Sequence, residues 1–203
     1  MNKAAVAVLA MIVGGCSLGP AKESPATYDL VAQPASVAGA LRIRQSVLVH
    51  GVAAPSWLES SAIVYRLNYQ DAARQLIYAN SRWAAPPAAL LTQRLRAQLA
   101  AASDGGIVSI ADSARADYAL RVELEDFSHV FDTTDASRAV IVARASLVNL
   151  ARRTMQAQKT FTVEKPASSA NAEGGVRALT AASTELIDAV VAWAAASLAQ
   201  EKK

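Results

Sequence analysis

The stretch SAIVYRLNYQDAARQLIYANSRWAAPPAALL, from Ser61 to Leu91, decides the fold. It holds two segments in which apolar and polar residues alternate, Ala62–Leu67 and Leu76–Trp83, joined by the polar sequence NYQDAARQ. Alternation with a period of two is typical of half-buried strands, so the pattern predicts a β-hairpin. Pro86 and Pro87 then suit the first turn of a helix, where the backbone N–H groups have no intrahelical partner.

A helix is predicted directly after the two prolines. Leu91, Leu95 and Leu99 recur every fourth residue, which places them on one helical face. The sequence SDGG, from Ser103 to Gly106, ends the pattern. We expect this amphipathic helix to pack on a sheet that includes the hairpin.

The sequence around this unit predicts further strands and a second helix. LRIRQSVLVHG, from Leu41, alternates as a half-buried strand does, and three longer alternating segments begin at Tyr118, Arg138 and Thr154. Because short turns join these three, they predict an antiparallel meander. The final segment, Val176–Leu198, carries an apolar stripe, and its apolar stretch is too short to span a bilayer, so it predicts a helix packed on the core.

Taken together, these elements predict an α+β fold: a mostly antiparallel sheet with two amphipathic helices packed on one face, in a single domain over residues 40–200. The chain of 203 residues is long enough for such a core, and its 53% hydrophobic content excludes general disorder. The net charge of +3 is small and the basic residues are dispersed, which argues against nucleic acid as a partner.

The N-terminus predicts a lipoprotein signal peptide over residues 1–15. MNKAAVAVLAMIVGGCS has a lysine, a short apolar run and then small residues, and VGGC resembles a bacterial lipobox. Cys16 is the single cysteine of the chain, so we expect it to be acylated, with palmitate among its chains, and not to form an internal disulfide. An ordinary cleaved signal and a buried hydrophobic helix are the alternatives. In the bacterial lipoproteins that this pattern resembles, aspartate after the cysteine favours retention in the inner membrane, so the resemblance implies the outer membrane for a chain with Ser17.

Residues 16–39 are predicted to be a flexible, lipidated tether. Pro20, Pro25 and Pro34 are scattered among small residues, which is typical of a linker. The sequence TYDLV within it could add a short edge strand at residues 28–31.

The sequence contains no recognisable catalytic motif, and we predict no enzyme activity, no cofactor and no metal site. Two histidines, His50 and His129, stand apart at predicted strand ends, where a solvated side chain is the ordinary interpretation. The carboxylates of Glu123, Glu125 and Asp126 share a strand with an arginine, and a solvated, ion-paired surface explains them.

WLESSAIVYRL, from Trp57, and LIYANSRWAAPPAALLTQRL, from Leu76, carry a resemblance to a known family. With the lipobox, the tether and the sequence Tyr28-Asp29-Leu30, they resemble the ABC-type transport auxiliary lipoproteins, which include the PqiC-like lipoproteins. The resemblance implies a non-catalytic docking or scaffolding subunit on the outer membrane, facing the periplasm and forming homo-oligomers. The partners it implies are a periplasmic MCE-domain protein and its ABC transporter, which move phospholipids or other hydrophobic molecules between membranes.

Four side chains are candidates for a subunit or partner interface: Trp57, Arg66, Arg82 and Trp83. Arginine and aromatic residues are enriched at interfaces, and the two hairpin strands could place Arg66 and Arg82 on a common outward face. The alternative for Trp83 and its aromatic neighbours is the core of the domain.

Two rival functions remain open from the sequence. One is a ring- or channel-forming secretion or assembly lipoprotein with a TolB- or CsgG-like domain, which long lipid-facing strands would favour; the charge on the predicted outward faces argues against it. The other is a cell-wall enzyme, for which the sequence nominates no nucleophile or acid–base residue.

Overall fold

The computed structural model describes residues 24–30 and 42–200. The predicted signal peptide, Cys16 and most of the predicted tether lie outside the described residues. In chain order the elements are β1 (Ala26–Tyr28), β2 (Val47–Val49), β3 (Ala62–Leu67), β4 (Asp71–Trp83), α1 (Pro87–Ala102), β5 (Ile107–Val108), β6 (Tyr118–Phe131), β7 (Ser137–Asn149), β8 (Thr154–Pro166) and α2 (Ala172–Ala199), with single 3₁₀ turns at Ser56–Leu58 and Ile110–Asp112.

The eight strands form one mixed sheet, so the prediction of a mostly antiparallel sheet was wrong. The long strand β6 pairs antiparallel with β7 along one side, whereas β2 and β3 both pair with its other side in parallel. The pairs β1–β4 and β2–β5 are also parallel. The hairpin pairs β3–β4, β6–β7 and β7–β8 are antiparallel. The chain between β3 and β6 passes through helix α1, and such crossover connections produce parallel pairs.

The predicted meander is confirmed. Strands β6, β7 and β8 pair antiparallel over nearly their whole lengths. Along β6 the side chains alternate between buried and exposed from Leu120 to Glu125, as the sequence indicated. A register shift between Leu124 and Asp126 interrupts this alternation, and the five residues Phe127–Phe131 that follow are all buried.

Both helices pack on the same face of the sheet. Leu91 of α1 and Ile187 of α2 meet Val122 of β6 around one small apolar cavity. Helix α1 begins at Pro87 and ends at a Ser103 cap, as predicted. Helix α2 begins earlier than predicted, because the side chain of Asn171 accepts a hydrogen bond from the Gly174 N–H and caps the helix there.

Helix α2 is long and apolar enough to cross a membrane, and it is the one helix of the described residues with that property. Just over half of its apolar window is buried inside the domain, and it packs on β7 and β8. The Phe161 ring of β8 meets the Trp193 ring of α2 edge-on, with centroids 5.9 Å apart. The prediction of a core-packed helix is therefore confirmed.

Three strand boundaries differ from the predictions. Strand β4 begins at Asp71, five residues before the predicted start at Leu76. The prediction missed these five residues because they are all exposed and show no alternation. The segment from Leu41 yields only the three residues of β2 and an isolated bridge at Ile43. The edge strand predicted at residues 28–31 is β1, which ends at Tyr28.

Candidate partner-binding surface

The centre of the candidate surface is an ion pair between β3 and β6. Arg66 Nη1 lies 2.9 Å from Asp126 Oδ2, and the two side chains are 21% and 16% exposed. The guanidinium carbon of Arg66 lies 5.5 Å from the centre of the Trp57 ring, within the range of a cation–π contact. A charged pair that is mostly desolvated and covered by an aromatic ring is well placed to recognise a partner.

The backbone explains why Asp126 reaches Arg66. The register shift after Leu124 adds a residue to β6, and such a bulge changes which face the next side chains occupy. Asp126 thereby leaves the helix-covered side and joins the face of the sheet that carries Arg66. The sequence placed Asp126 in a carboxylate cluster, but this partner lies 60 residues away in the chain and could not be predicted from spacing.

The other carboxylates of β6 form the expected ion-paired surface with a different arginine. Glu123 lies opposite Arg144 in the β6–β7 register and forms an ion pair with it, and Glu125 Oε1 lies 3.9 Å from the same guanidinium. These side chains are almost half exposed, so such pairs contribute little to stability. The partner is Arg144 of β7, not an arginine of β6 itself.

The remaining interface candidates separate into one exposed arginine and one core tryptophan. Arg82 pairs with Ala62 in the β3–β4 register, which places it on the same face as Arg66, and its Nε donates to Thr27 Oγ1 at 3.3 Å. Trp83 is 1% exposed and meets the Phe127 ring edge-on, so it is a core residue and leaves the candidate surface. We define the partner surface as Trp57, Arg66, Arg82 and Asp126.

A buried histidine on the opposite side of the sheet was not predicted. His129 is fully buried, which corrects its interpretation as a solvated strand end. Its Nδ1 is hydrogen-bonded to the Tyr78 hydroxyl at 2.9 Å, and its ring packs on Phe131. Burial lowers the pKa of His129 to about 4 and raises the pKa of Tyr78, so both groups are neutral at pH 7. The signal that could have found it is the strand alternation, because His129 lies two residues from both Phe127 and Phe131 and therefore shares their face.

The two histidines have separate surroundings in the described part of the chain. His50 is partly exposed, and burial together with the charge of Arg121 lowers its pKa. Within residues 24–30 and 42–200, no group of three or more histidine, cysteine or acidic side chains is arranged to hold a metal ion.

The apolar cavity between the helices and the sheet is small. Its volume is about 10 Å³, enough for about one water molecule, and its walls are apolar side chains. A lipid acyl chain would need many times this volume. This cavity of the described core therefore has no room for a lipid acyl chain in this structure.

Comparison with known families decides the class of the protein. The family model described as the ABC-type transport auxiliary lipoprotein component matches residues 28–191. The chain belongs to this family. The ABC-type transport auxiliary lipoproteins are described as transport components and not as enzymes, and their name associates them with an ABC transport system. Membership of a lipoprotein family also implies a location in the bacterial envelope.

Solved structures show the same fold at low sequence identity. Protein XCC0632 from Xanthomonas campestris, a DUF330 protein, is 20% identical, with a TM-score of 0.76 over 86% of this chain and 98% of its own. An uncharacterised protein is 19% identical, with a TM-score of 0.64 over 83% of this chain and 97% of its own. The hypothetical protein CT253 from Chlamydia trachomatis is 11% identical, with a TM-score of 0.51 over 76% of this chain and 98% of its own. No curated protein matches the auxiliary lipoprotein described here.

Proposed function

We propose that this protein is a non-catalytic docking subunit of an MCE-type intermembrane transport system, anchored in the outer membrane through acylated Cys16 and facing the periplasm. The observation that carries the proposal is the family match over residues 28–191. The lipobox-like VGGC supports the anchor, and Ser17 supports the outer membrane. The transported molecules are phospholipids or other hydrophobic compounds.

Two features of the described residues support docking as the proposed role. The described cavity is too small for an acyl chain, whereas the partner surface offers a desolvated ion pair beside an aromatic ring. The occupant of that surface is a periplasmic MCE-domain protein, or a second copy of the chain in a homo-oligomer that receives it.

Crosslinking in intact envelopes, followed by mass spectrometry of the captured proteins, tests the proposed role. We expect the wild-type chain to capture an MCE-domain protein and the Cys16→Ser variant to lose at least most of that capture. The Cys16→Ser variant should keep the same melting temperature as the wild-type domain, because all the described strands and helices begin after residue 25. Capture of secretion-channel components alone would contradict the proposal and favour the rival channel function.

The partner surface makes a separate prediction. Arg82→Glu and Trp57→Ala are each expected to weaken partner binding by roughly thirtyfold, the equivalent of about 2 kcal/mol. Both side chains are at least partly exposed, so folding should be retained. The measurement is the dissociation constant of the purified complex, with Arg115→Glu as a control of the same charge change on an exposed loop.

Arg66 needs a different design, because Arg66→Glu alone would place two carboxylates together in a mostly buried position. The exchange Arg66→Glu with Asp126→Arg keeps an ion pair and reverses its orientation. We expect a folded domain with weakened binding. Unchanged binding in this exchange, in Arg82→Glu and in Trp57→Ala would show that the partner binds elsewhere.

A further inference from the structure

The first turns of α2 lie directly against the ring of His129. A methyl group on Gly175 would come within 2.7 Å of the ring carbon Cγ, so the helix backbone and the imidazole are already in contact. This contact places the buried imidazole beside the N-terminal end of α2. That end of a helix carries a partial positive charge.

The strands around His129 offer it no negative charge. Strand β4 contributes the Tyr78 hydroxyl, hydrogen-bonded to Nδ1 at 2.9 Å, and β3 contributes the phenol of Tyr65, the partner of His129 in the parallel register. On β7 the residue opposite His129 is Ala139, and the neighbouring Arg138 projects from the other face of the sheet. The second ring nitrogen, Nε2, is buried and has no hydrogen-bond partner among the described residues. A proton added to this ring would therefore bring a positive charge that these strands do not balance.

Helix α2 does not supply the missing negative charge either. The charged side chains nearest to Gly175 along the helix are Glu173 and Arg177, which pair with each other and are 64% and 52% exposed. Their charges are opposite and in water, so screening leaves little effect at the buried ring. The positive end of the helix itself repels a cation. Protonation of His129 is therefore unfavourable for as long as α2 stays in contact with the ring.

The start of α2 is held less firmly than the rest of the helix. Glycine occupies two successive positions, Gly174 and Gly175, and each lowers helix stability by about 1 kcal/mol relative to alanine. The Asn171 side chain caps this start by accepting a hydrogen bond from the Gly174 N–H at 2.9 Å. Before Leu179, which is fully buried, α2 buries one large apolar side chain, that of Val176. The first turns can therefore open at a lower cost in free energy than unfolding of the whole domain.

We propose that His129 and residues 172–178 form an acid-sensitive latch, in which protonation of the ring releases the first turns of α2 from the sheet while the rest of the helix stays packed. Release brings water to the ring, which can then keep a proton taken from solvent. The partner surface lies on the opposite face of the sheet, so the inference does not rest on the proposed function.

The direction of the pH effect follows from burial. Burial lowers the pKa of His129 to about 4 in the closed domain, whereas a solvated histidine titrates near pH 6.5. The released segment therefore binds a proton that the closed segment does not, and acid favours release. Between pH 7 and pH 5 this difference raises the released fraction roughly twentyfold.

Amide hydrogen exchange of the full-length protein at pH 7 and pH 5 tests the latch. Protection factors, which correct for the intrinsic pH dependence of exchange, are compared between residues 172–178 and the slowest amides of β6 and β7. We expect residues 172–178 to be less protected than those strands at both pH values, because the segment opens by itself. Their protection should fall roughly twentyfold at pH 5.

Two histidine variants assign the effect to one ring. His129→Gln removes the titrating group and leaves an amide oxygen that can accept from the Tyr78 hydroxyl, so the protection of residues 172–178 should be the same at both pH values within about twofold. His129→Phe with Tyr78→Phe is a second variant without the titrating ring, and the same result is expected. The matched control is His50→Gln, which removes the other histidine of the chain and should keep the twentyfold loss.

Three outcomes overturn the inference. Protection of residues 172–178 equal to that of the slowest strand amides would mean that the segment opens only when the whole domain unfolds. Lower protection that is unchanged between pH 7 and pH 5 would mean that the segment opens without a change at His129. A twentyfold loss that persists in both variants without the His129 ring would assign the pH effect to another group.

Discussion

Replacing Gly175 with alanine is expected to destabilise the domain by about 2 kcal/mol, even though alanine favours helix more than glycine does. Gly175 lies in the first turns of α2, directly against the ring of the buried His129. A methyl group at this position would lie 2.7 Å from His129 Cγ, well inside van der Waals contact. The ring cannot move aside freely, because it is hydrogen-bonded to Tyr78 and packed on Phe131.

Thermal unfolding of the purified domain measures this effect, with an expected fall in melting temperature of roughly 4–8 °C. Gly51→Ala is the matched control, since a methyl group there would meet its nearest neighbour, Thr92 Oγ1, at 4.0 Å. That variant should unfold within about 1–2 °C of the wild type. A Gly175→Ala domain as stable as the Gly51→Ala domain would mean that the helix start and His129 are not in close contact.

Acidification is expected to remove about 2 kcal/mol of stability between pH 7.5 and pH 5 through His129 alone. Burial lowers the pKa of His129 from 6.5 to about 4 in the folded domain. In this pH range the unfolded chain therefore binds a proton that the folded domain does not, and stability falls as the pH falls. The loss begins near pH 6.5 and is complete below about pH 4, where it reaches about 3 kcal/mol.

Urea unfolding at a series of pH values measures how steeply the free energy of unfolding changes with pH. The double variant His129→Phe with Tyr78→Phe removes the titrating ring and does not leave the buried tyrosine hydroxyl unpaired. Its free energy of unfolding should change by about 2 kcal/mol less than that of the wild type over the same range. His50 contributes in the same direction in both proteins, so the comparison cancels it. Equal slopes would show that His129 does not resist protonation in the folded domain.

Local sequence patterns predicted the elements whose partners are close in the chain. The meander followed from alternation and short turns, and the start of α1 followed from Pro87. The Asn171 cap of α2 lies in a segment of polar and small residues, and the prediction placed the helix start at the first apolar residue of the stripe, Val176.

The parallel pairs and the candidate surface depended on contacts that no local pattern encodes. Whether β2 and β3 run parallel or antiparallel to β6 is set by the path through α1, and alternation is the same in either case. The partner of Arg66 was decided by the bulge after Leu124, a single inserted residue without a glycine or proline to signal it. Arg82 and Trp83 are neighbours in sequence. Trp83 is a core residue because its ring packs on Phe127, a contact that the sequence does not reveal.

The position of β6 at the centre of a mixed sheet also sets an order of folding. From loop length alone, the hairpin β3–β4 and the meander β6–β7–β8 are expected to close their contacts early, because short loops lose little entropy. Strands β2 and β3 have no finished edge to join until β6 exists: Ser46 bonds Asp117, 71 residues later, and Arg66 bonds Asp126, 60 residues later. A chain that is made from its N-terminus therefore completes its sheet only after β6 has been synthesised, and until then β2 and β3 lack the strand that they border in the folded domain.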